Sequence, residues 1–335
     1  MRRVVIAAAL LCVAVAAAGC GERHEVTGPR TPTKVSLMLD FFPNADHAGL
    51  YAALAGGGFT RQGLDLTVRT PASPSEPLAL LAAGKVDLAI SYEPELLLAR
   101  ETGAPLVSVA AIVQRPLTSI IALDPARVPG PKALAGKTVG TAGIPYQDAY
   151  LTTILQNADV PASSVKRVNV GFNLVPAMLT GKVDATLGGF WNYEAIQLRQ
   201  LHHNPTVVPV DHAGVPTYDE LIVVARQSEL QQKPQIIRAF LQALGQGYKA
   251  VRANPRAGVD PLMKANPSLN RGLQFASVKA TGAAFFPADP SKPFGYQDLK
   301  QWVTFGQWMT AHGLLRQRPI IANAATNELL PGQGE

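Results

Sequence analysis

The chain has 335 residues, of which 47% are hydrophobic and 16% are charged, so it can form one large domain or two domains of ordinary size. The net charge of +6 comes from scattered basic residues and not from a Lys/Arg run with interleaved aromatic residues, which argues against nucleic-acid binding. Glycine and proline are spread along the chain, which argues against extended disorder.

The first twenty residues have the pattern of an export signal. Two arginines follow Met1, and residues 4–18 form an apolar run that is shorter than an ordinary membrane-spanning helix. The run ends in Ala-Ala-Gly directly before Cys20, which resembles the bacterial lipobox, where a signal peptide is cleaved before a lipidated cysteine. A plain signal peptide that precedes a cysteine by chance is the alternative. We expect an exported protein that is anchored by lipid to the cell membrane and faces the periplasm or the cell exterior.

Cysteine usage in the remaining chain agrees with export. Cys12 lies within the predicted signal and Cys20 would carry the lipid, so the mature body contains no further thiol for a disulfide, a nucleophile or a metal site. Residues 21–33 are polar and contain two prolines, which predicts a tether between the membrane and the folded body.

Strand and helix patterns alternate after this tether, which predicts an α/β protein with mainly parallel sheets. The first unit is predicted to have strands at 34–40, 64–69, 86–91, 106–113 and 119–123, with helices at 47–62, 75–83 and 93–101. After a Pro/Gly-rich break at 124–131, the second unit has strands at 137–141, 165–170, 183–188 and 206–209, with helices at 147–157, 174–180 and 192–201. A strand-like run at 219–226 precedes helices at 234–253, 255–264, 268–280 and 297–312.

This order of elements is compatible with two arrangements. Three units could follow one another in series, or the second unit could be inserted so that the chain returns to the first unit afterwards. The pattern of elements alone leaves both open.

Motifs for catalysis and for metal binding are missing from the sequence. Gly136-Lys137-Thr138 has the end of a P-loop, but Pro131 stands where its first glycine belongs and Thr138 enters a strand. The histidines lack metal-ligand spacing, and no Gly-x-Ser-x-Gly elbow occurs. We therefore expect a binding protein, with no catalytic residue, metal or cofactor, and not an enzyme.

Aromatic and amide residues recur where predicted strands end. Four segments have this composition: residues 40–47, 91–93, 114–116 and 189–194. Ligands of open α/β sheets bind at the carboxyl ends of strands. Stacking of a base-like ring on an aromatic side chain contributes roughly 1–3 kcal/mol. The four segments together predict a site for a planar, polar heterocycle, although core packing or helix capping is the alternative for any one residue.

The same segments resemble a known family. Residues 40–51, Asp-Phe-Phe-Pro-Asn-Ala-Asp-His-Ala-Gly-Leu-Tyr, are similar to its L-D-W-x-P-N-x-x-H-x-G-x-Y opening, and residues 84–92 are similar to its G-x-x-D-x-x-x-S-Y segment. Residues 110–114, 189–194 and 326–331 resemble three further segments, the last of them T-N-E-F-L-P. The family is the thiamin-pyrimidine-synthase-like substrate-binding proteins of ABC transporters, and the resemblance covers almost all of the mature chain.

The resemblance implies a type II periplasmic-binding-protein fold, in which two α/β lobes are joined by a two-strand hinge. Residues 34–123 and 222–335 would form the first lobe, and residues 124–221 the second, inserted lobe. A ligand would be trapped by hinge closure and delivered to a permease with its ATPase subunits, and the protein would be a monomer. The ligand class implied is an aminopyrimidine precursor of thiamin, with a flavin, a sulfonate or an aromatic acid as alternatives.

The resemblance also assigns roles to nine residues. Phe41 and Trp191 would stack on the ligand, and Tyr92 would close its side. Directional hydrogen bonds would come from Asp40, Asn44, Asn192 and Glu194, with His47 and Gln114 as further candidates. Phe41 stands where the family usually has tryptophan, so it can stack but cannot donate a hydrogen bond.

An enzymatic branch of the family makes a pyrimidine from its own histidine and from pyridoxal phosphate held by a lysine, with iron at a cysteine-rich motif. His47 lies in the matching region, but Ser91 occupies the place of the lysine and no cysteine cluster exists. The resemblance therefore implies a binding protein and disfavours a pyridoxal-phosphate-dependent synthase. Arg115 is the one basic residue near the predicted cleft rim, which weakly disfavours a sulfonate ligand.

Overall fold

The computed structural model describes residues 31–316 and 323–332. The predicted export signal, Cys20 and most of the predicted tether lie outside these residues, so their roles remain predictions. Within the described part of the chain, no helix combines the length and the apolar character needed to cross a membrane.

Strands and helices alternate through most of the described chain. The strands are β1 (Thr33–Met38), β2 (Leu64–Arg69), β3 (Leu88–Ser91), β4 (Leu106–Val113), β5 (Thr118–Ala122), β6 (Thr138–Thr141), β7 (Lys166–Asn169), β8 (Ala185–Phe190), β9 (Thr206–Pro209) and β10 (Leu221–Arg226). The helices are α1 (Ala48–Ala55), α2 (Gly58–Arg61), α3 (Pro77–Ala82), α4 (Glu93–Glu101), α5 (Pro145–Asn157), α6 (Leu174–Leu179), α7 (Glu194–Gln200), α8 (Gln227–Gln232), α9 (Pro234–Ala253), α10 (Arg256–Ala265), α11 (Arg271–Thr281) and α12 (Leu299–Ala311).

The strands form two five-stranded sheets, one in each lobe. The first sheet has the order β2-β1-β3-β10-β4, and the second has the order β7-β6-β8-β5-β9. Strands β1 to β3 are parallel, whereas β10 runs antiparallel to β3 and β4. In the second sheet β6, β7 and β8 are parallel, whereas β5 runs antiparallel to β8 and β9. The antiparallel strands β5 and β10 are the ones at which the chain changes lobes. The chain enters the second lobe with β5 and returns to the first lobe with β10.

The sequences of β4 and β5 reflect their burial. Every residue of both strands is buried, which explains why neither strand has the regular polar alternation of a half-exposed strand. The predicted helix at 47–62 is divided, because Gly57 adopts a left-handed conformation with φ of 66° between α1 and α2.

Two segments connect the lobes, namely residues 114–117 between β4 and β5 and residues 210–220 between β9 and β10. The predicted lobe boundary at 123/124 is wrong for β5, because β5 pairs with β8 and β9 in the second sheet. The Pro/Gly-rich break that follows β5 is a surface loop of the second lobe. The chain crosses earlier, through Gln114, Arg115 and Pro116, which lack a comparable composition break.

Candidate functional site

A small cavity lies between the two lobes. Its lining is mostly apolar with a few polar groups, which is the usual composition of small-molecule sites. The first lobe contributes the loop after β1 and the residue that follows β3, and the second lobe contributes the remaining wall. The lining residues are Phe41, Asn44, Tyr92, Ala142, Ile144, Tyr146, Gln147, Leu174, Gly188, Phe190, Tyr193 and Glu194.

Five of the twelve residues that line the cavity are aromatic, and they come from both lobes. Tyr92 of the first lobe and Tyr146 at the start of α5 lie 5.8 Å apart between ring centroids. Phe41 packs edge-on against Phe172 of the second lobe, with 4.6 Å between ring centroids. These contacts join the two lobes around a space with flat apolar faces, as stacking on a planar ligand requires.

Glu194 is the charged residue among the described residues that line the cavity. It is the first residue of α7, and its Oε2 accepts a hydrogen bond of 2.7 Å from the backbone N–H of Phe190. Burial raises the pKa of Glu194 to about 7, and the nearby charge of Asp46 adds to this increase, while the backbone hydrogen bonds oppose it. Its second carboxylate oxygen can accept a hydrogen bond from a ligand.

Gln147 presents an amide to the cavity from the first turn of α5. Its Oε1 accepts a hydrogen bond of 2.9 Å from the backbone N–H of Ala142, which lies just after β6. Sequence analysis missed both Gln147 and Tyr146. The rule that ligands bind after strand ends would have found them, because the segment follows β6 directly.

Asp40 and His47 lie behind the cavity wall and hold Tyr92. The Tyr92 hydroxyl donates to Asp40 Oδ2 at 2.8 Å, and His47 Nε2 lies 2.8 Å from Asp40 Oδ1. His47 Nδ1 accepts from the backbone N–H of Asn44 at 3.2 Å, so the hydrogen-bond network assigns the ring proton to Nε2. The structure therefore places these two residues so that they orient Tyr92, without lining the cavity themselves.

Asn44 lines the cavity while it caps the turn that precedes α1. Its Oδ1 accepts from the backbone N–H of Asp46 at 2.8 Å, and its Nδ2 donates to the carbonyl oxygen of Phe42 at 3.1 Å. The side chain is thus fixed by its own loop. Asn44 therefore caps this turn and also lines the cavity.

Three further predicted residues, like Asp40 and His47, do not line the cavity. Trp191 turns toward the crossover, where its Nε1 donates to the Pro116 carbonyl oxygen at 3.0 Å. Gln114 lines a separate groove together with Asp219. Asn192 is buried between the lobes and bonds to residues of the first lobe. Each follows a strand as predicted, but its side chain points away from the cavity.

Asn192 links the lobes beside the cavity. Its Nδ2 lies 2.7 Å from Asp46 Oδ1 and 2.6 Å from Thr281 Oγ1, and both partners belong to the first lobe. The neighbouring Tyr193 hydroxyl accepts a hydrogen bond of 2.9 Å from Gln274 Nε2. Residues 192 and 193 thus connect the second lobe to α11 and to the turn before α1.

Comparison with known proteins gives relatives of both a binding and an enzymatic kind. A model of the family described as NMT1/THI5 like matches residues 44–258. A formylaminopyrimidine-binding protein from Halalkalibacterium halodurans is 34% identical over 300 residues, which cover 88% of this chain and 90% of that protein. A 4-amino-5-hydroxymethyl-2-methylpyrimidine phosphate synthase from Legionella pneumophila is 23% identical over 302 residues, which cover 89% of this chain and 93% of that protein.

Solved structures confirm the predicted fold class. The alkanesulfonate-binding protein SsuA from Xanthomonas axonopodis pv. citri, bound to MOPS, superimposes with a TM-score of 0.68 at 16% identity, and the match covers 89% of this chain and 99% of that chain. At this identity the likeness concerns the fold alone. The two sheets joined by two crossover segments form a type II periplasmic-binding-protein fold.

Proposed function

This chain belongs to the NMT1/THI5-like family, and we propose that it is the solute-binding subunit of an ABC importer for an aminopyrimidine precursor of thiamin. The observation that carries this proposal is the cavity itself, in which aromatic walls from both lobes surround the single carboxylate of Glu194. The name of the 34% identical relative, a formylaminopyrimidine-binding protein, supports the same ligand class.

An aminopyrimidine suits this cavity chemically. Its flat ring can stack on an aromatic side chain of the cavity wall such as Tyr92 or Tyr146, and its exocyclic amine can donate to the carboxylate of Glu194. Because one carboxylate oxygen is held by the backbone N–H of Phe190, the acceptor is oriented before the ligand arrives. Contacts from both lobes let the ligand stabilise the closed arrangement.

Anionic ligands suit the cavity poorly. Its described lining contains no lysine or arginine, and its one charged side chain is the carboxylate of Glu194. A sulfonate or an aromatic acid would meet this carboxylate without a basic partner, at an unfavourable electrostatic cost. Arg115 does not compensate, because its guanidinium lies over the Trp191 ring, 4.9 Å from the ring centroid.

The synthase alternative lacks the residues for its cofactors. The described cavity lining offers no lysine to hold pyridoxal phosphate, and Ser91, at the matching place, donates to Glu95 Oε2 at 2.5 Å. Among the described residues, no group of three or more His, Cys, Asp or Glu side chains could hold a metal ion. These features favour stoichiometric binding without turnover, although a synthase from Legionella pneumophila is a 23% identical relative.

The cellular location and the partners that we propose are based on the sequence. The N-terminal pattern supports export and lipidation at Cys20, which would keep the binding protein near the membrane that contains its permease. The permease and ATPase subunits are the proposed partners, and the proposed state in solution is a monomer.

Thermal unfolding of the purified mature protein with a ligand panel tests the proposal. A ligand at 100 times its Kd adds about 2.7 kcal/mol to the free energy of unfolding, and we expect aminopyrimidines to raise the midpoint by a few degrees. Glu194→Ala should abolish the increase, whereas Glu328→Ala, an exposed control, should keep it. An increase with sulfonates or flavins alone would exclude the aminopyrimidine assignment, and steady formation of a pyrimidine product would exclude a pure binding function.

A further inference from the structure

The amide of Gln147 is held in one orientation by a hydrogen bond to the backbone. The side chain is 1% exposed, and its Oε1 accepts from the backbone N–H of Ala142 at 2.9 Å. Rotating the amide by 180° would bring its NH₂ group against that N–H, with two donors facing each other. The nitrogen Nε2 therefore points away from Ala142, toward the cavity that Gln147 lines, where the Tyr146 hydroxyl can take one of its two hydrogens and the other remains for a ligand.

Strand β8 leaves room for this nitrogen at Gly188. A Cβ atom at Gly188 would lie 2.3 Å from Gln147 Nε2, so no other residue fits there without moving the amide. The φ of 107° at Gly188 also belongs to a region that glycine alone adopts readily. The end of β8 is thus shaped around the Gln147 amide.

The Gln147 amide and the Glu194 carboxylate are held at neighbouring positions of one strand. Gly188 contacts the amide, and Phe190, two residues further along β8, binds the carboxylate through its N–H. Both side chains also line the cavity. A fixed donor and a fixed acceptor are therefore held against the same end of β8 at the cavity wall.

We propose that Gln147 determines ligand specificity by donating a hydrogen bond to a ring nitrogen of the ligand whose amine is bound by Glu194. The proposal rests on the proposed function, because it requires a heterocyclic amine in this cavity. It narrows the ligand class to rings that carry an acceptor nitrogen as well as an amine, and it excludes carbocyclic amines.

A ligand without that nitrogen would leave a buried N–H of Gln147 without its acceptor, so Gln147 would discriminate strongly against such ligands. A buried donor left without an acceptor costs about 1–3 kcal/mol, which corresponds to a loss of affinity of roughly tenfold to a hundredfold. A site that forms a hydrogen bond to a polar group of its ligand strongly rejects analogues that lack this group. An apolar pocket rejects analogues that differ by one methylene less strongly.

Calorimetric titration with three ring amines tests this role. The probes are 4-aminopyrimidine, 2-aminopyridine and 4-aminopyridine, and each pyridine lacks one of the two ring nitrogens. The wild type should bind 4-aminopyrimidine tenfold to a hundredfold more tightly than the pyridine that lacks the nitrogen facing Gln147. In Gln147→Leu this preference should disappear, because both ligands then meet an apolar group. For each ligand, the affinity of the wild type is compared with the affinity of Gln147→Leu. Differences in basicity between the ligands therefore cancel.

Two further variants separate recognition from folding. Gln147→Glu keeps an oxygen for the Ala142 N–H, and at a pH where this buried carboxyl is ionised it replaces the donor by an acceptor, so binding of 4-aminopyrimidine should fall there. Gln156→Leu, at an exposed position of the same helix, should leave all affinities unchanged. An equal loss for all three amines in Gln147→Leu would overturn the specificity role and leave the proposed function standing. A wild type that binds none of the three amines would overturn both.

Discussion

Buried carboxyl groups dominate the electrostatics of the individual residues around the closed interface. Burial raises the pKa of Asp46 to about 6 and that of Glu95 to about 7, because desolvation disfavours the charged form. At Asp46 the charge of Asp40 adds to the increase, while His47 and the hydrogen bonds from Asn192 and Thr281 oppose it. Asp46 Oδ2 has no hydrogen-bond partner among the described residues.

We expect Asp46 to make stability depend on pH. Its pKa in the folded protein, about 6, lies above the ordinary value of 3.8, so the folded state binds this proton more tightly than the unfolded state. Its stabilising contribution is therefore complete below pH 4 and is lost as the pH rises through about 6. Asp46→Asn should remove this dependence, because an amide does not titrate and can still bond to Asn192.

Urea unfolding of the wild type and the variant between pH 4.5 and 7.5 measures this effect. As the pH rises to about 7, the unfolding free energy of the wild type should fall relative to that of Asp46→Asn. Above about pH 7 the difference between the two proteins should stay constant. Asp65→Asn, at an exposed position of β2, is the control and should follow the wild type. Parallel pH profiles for the wild type and Asp46→Asn would contradict the protonation of Asp46 in the folded state.

Side-chain direction was the part of the site that the sequence could not specify. Phe41, Asn44, Tyr92 and Glu194 line the cavity, because residues after parallel strands meet at one edge of a sheet. Trp191 and Asn192 belong to an equally well-predicted segment, yet they point toward the crossover and toward the first lobe. The twist of β8 and the start of α7 decide these directions, and neither is readable from residue types.

At the scale of elements, the closest packing joins α1 and α9 through glycines. A Cβ at Gly247 would lie 2.0 Å from the carbonyl oxygen of Gly49, and a Cβ at Gly49 would lie 2.3 Å from the Tyr248 ring. Small residues at both positions let the helix backbones approach closely, and α9 buries the apolar side of its 20 residues against the first lobe.

We expect Gly247→Ala to destabilise the protein. Alanine favours a helix over glycine by about 1 kcal/mol, but forcing extra volume into a close backbone contact costs about 1–3 kcal/mol or more. The steric cost should win, because the obstructing atom is a backbone oxygen that cannot rotate away. Gln246→Ala, at an exposed position of the same helix, changes propensity without this contact. Urea unfolding should show a lower free energy for Gly247→Ala alone, and equal values for both variants would contradict the packing argument.

Element types were largely predictable, but pairing across the lobes was not. The apolar runs of β4 and β5 were recognised as strands, and both are fully buried. Their assignment to one lobe failed, because the partners of β5 lie in β8 and β9, more than sixty residues further along the chain. Local pattern determines that a strand forms, whereas the choice of sheet depends on contacts between distant segments.

For the molecule as a whole, the two crossover segments are bound to each other by Glu220. Its Oε2 accepts from the backbone N–H groups of Leu117 and Thr118 at 2.6 and 2.8 Å, and its Oε1 accepts from the Thr118 hydroxyl at 2.8 Å. Three donors at the end of the first crossover segment and the start of β5 thus meet one carboxylate on the second crossover segment. We expect lobe motion to occur as a rotation about this joined pair.

Closure is stabilised by hydrogen bonds between side chains of the two lobes. Asn192 bonds to Asp46 and Thr281 across the interface, and Tyr193 accepts from Gln274 on α11. These bonds favour the closed arrangement before any ligand binds, and the ligand then adds its own contacts to both lobes. The equilibrium between open and closed lobes should therefore respond separately to ligand and to these side chains.

Asn192→Ala should shift this equilibrium toward open lobes. The change removes two buried hydrogen bonds, and the freed Asp46 carboxylate gains water only when the lobes separate, so both effects favour opening. Small-angle X-ray scattering should give a larger radius of gyration for the ligand-free variant than for the ligand-free wild type. Saturating ligand should bring both to one value, because the cavity residues are unchanged. Asn204→Ala, at an exposed position of the second lobe, should match the wild type throughout. Identical ligand-free curves for the wild type and Asn192→Ala would mean that ligand contacts alone hold the lobes closed.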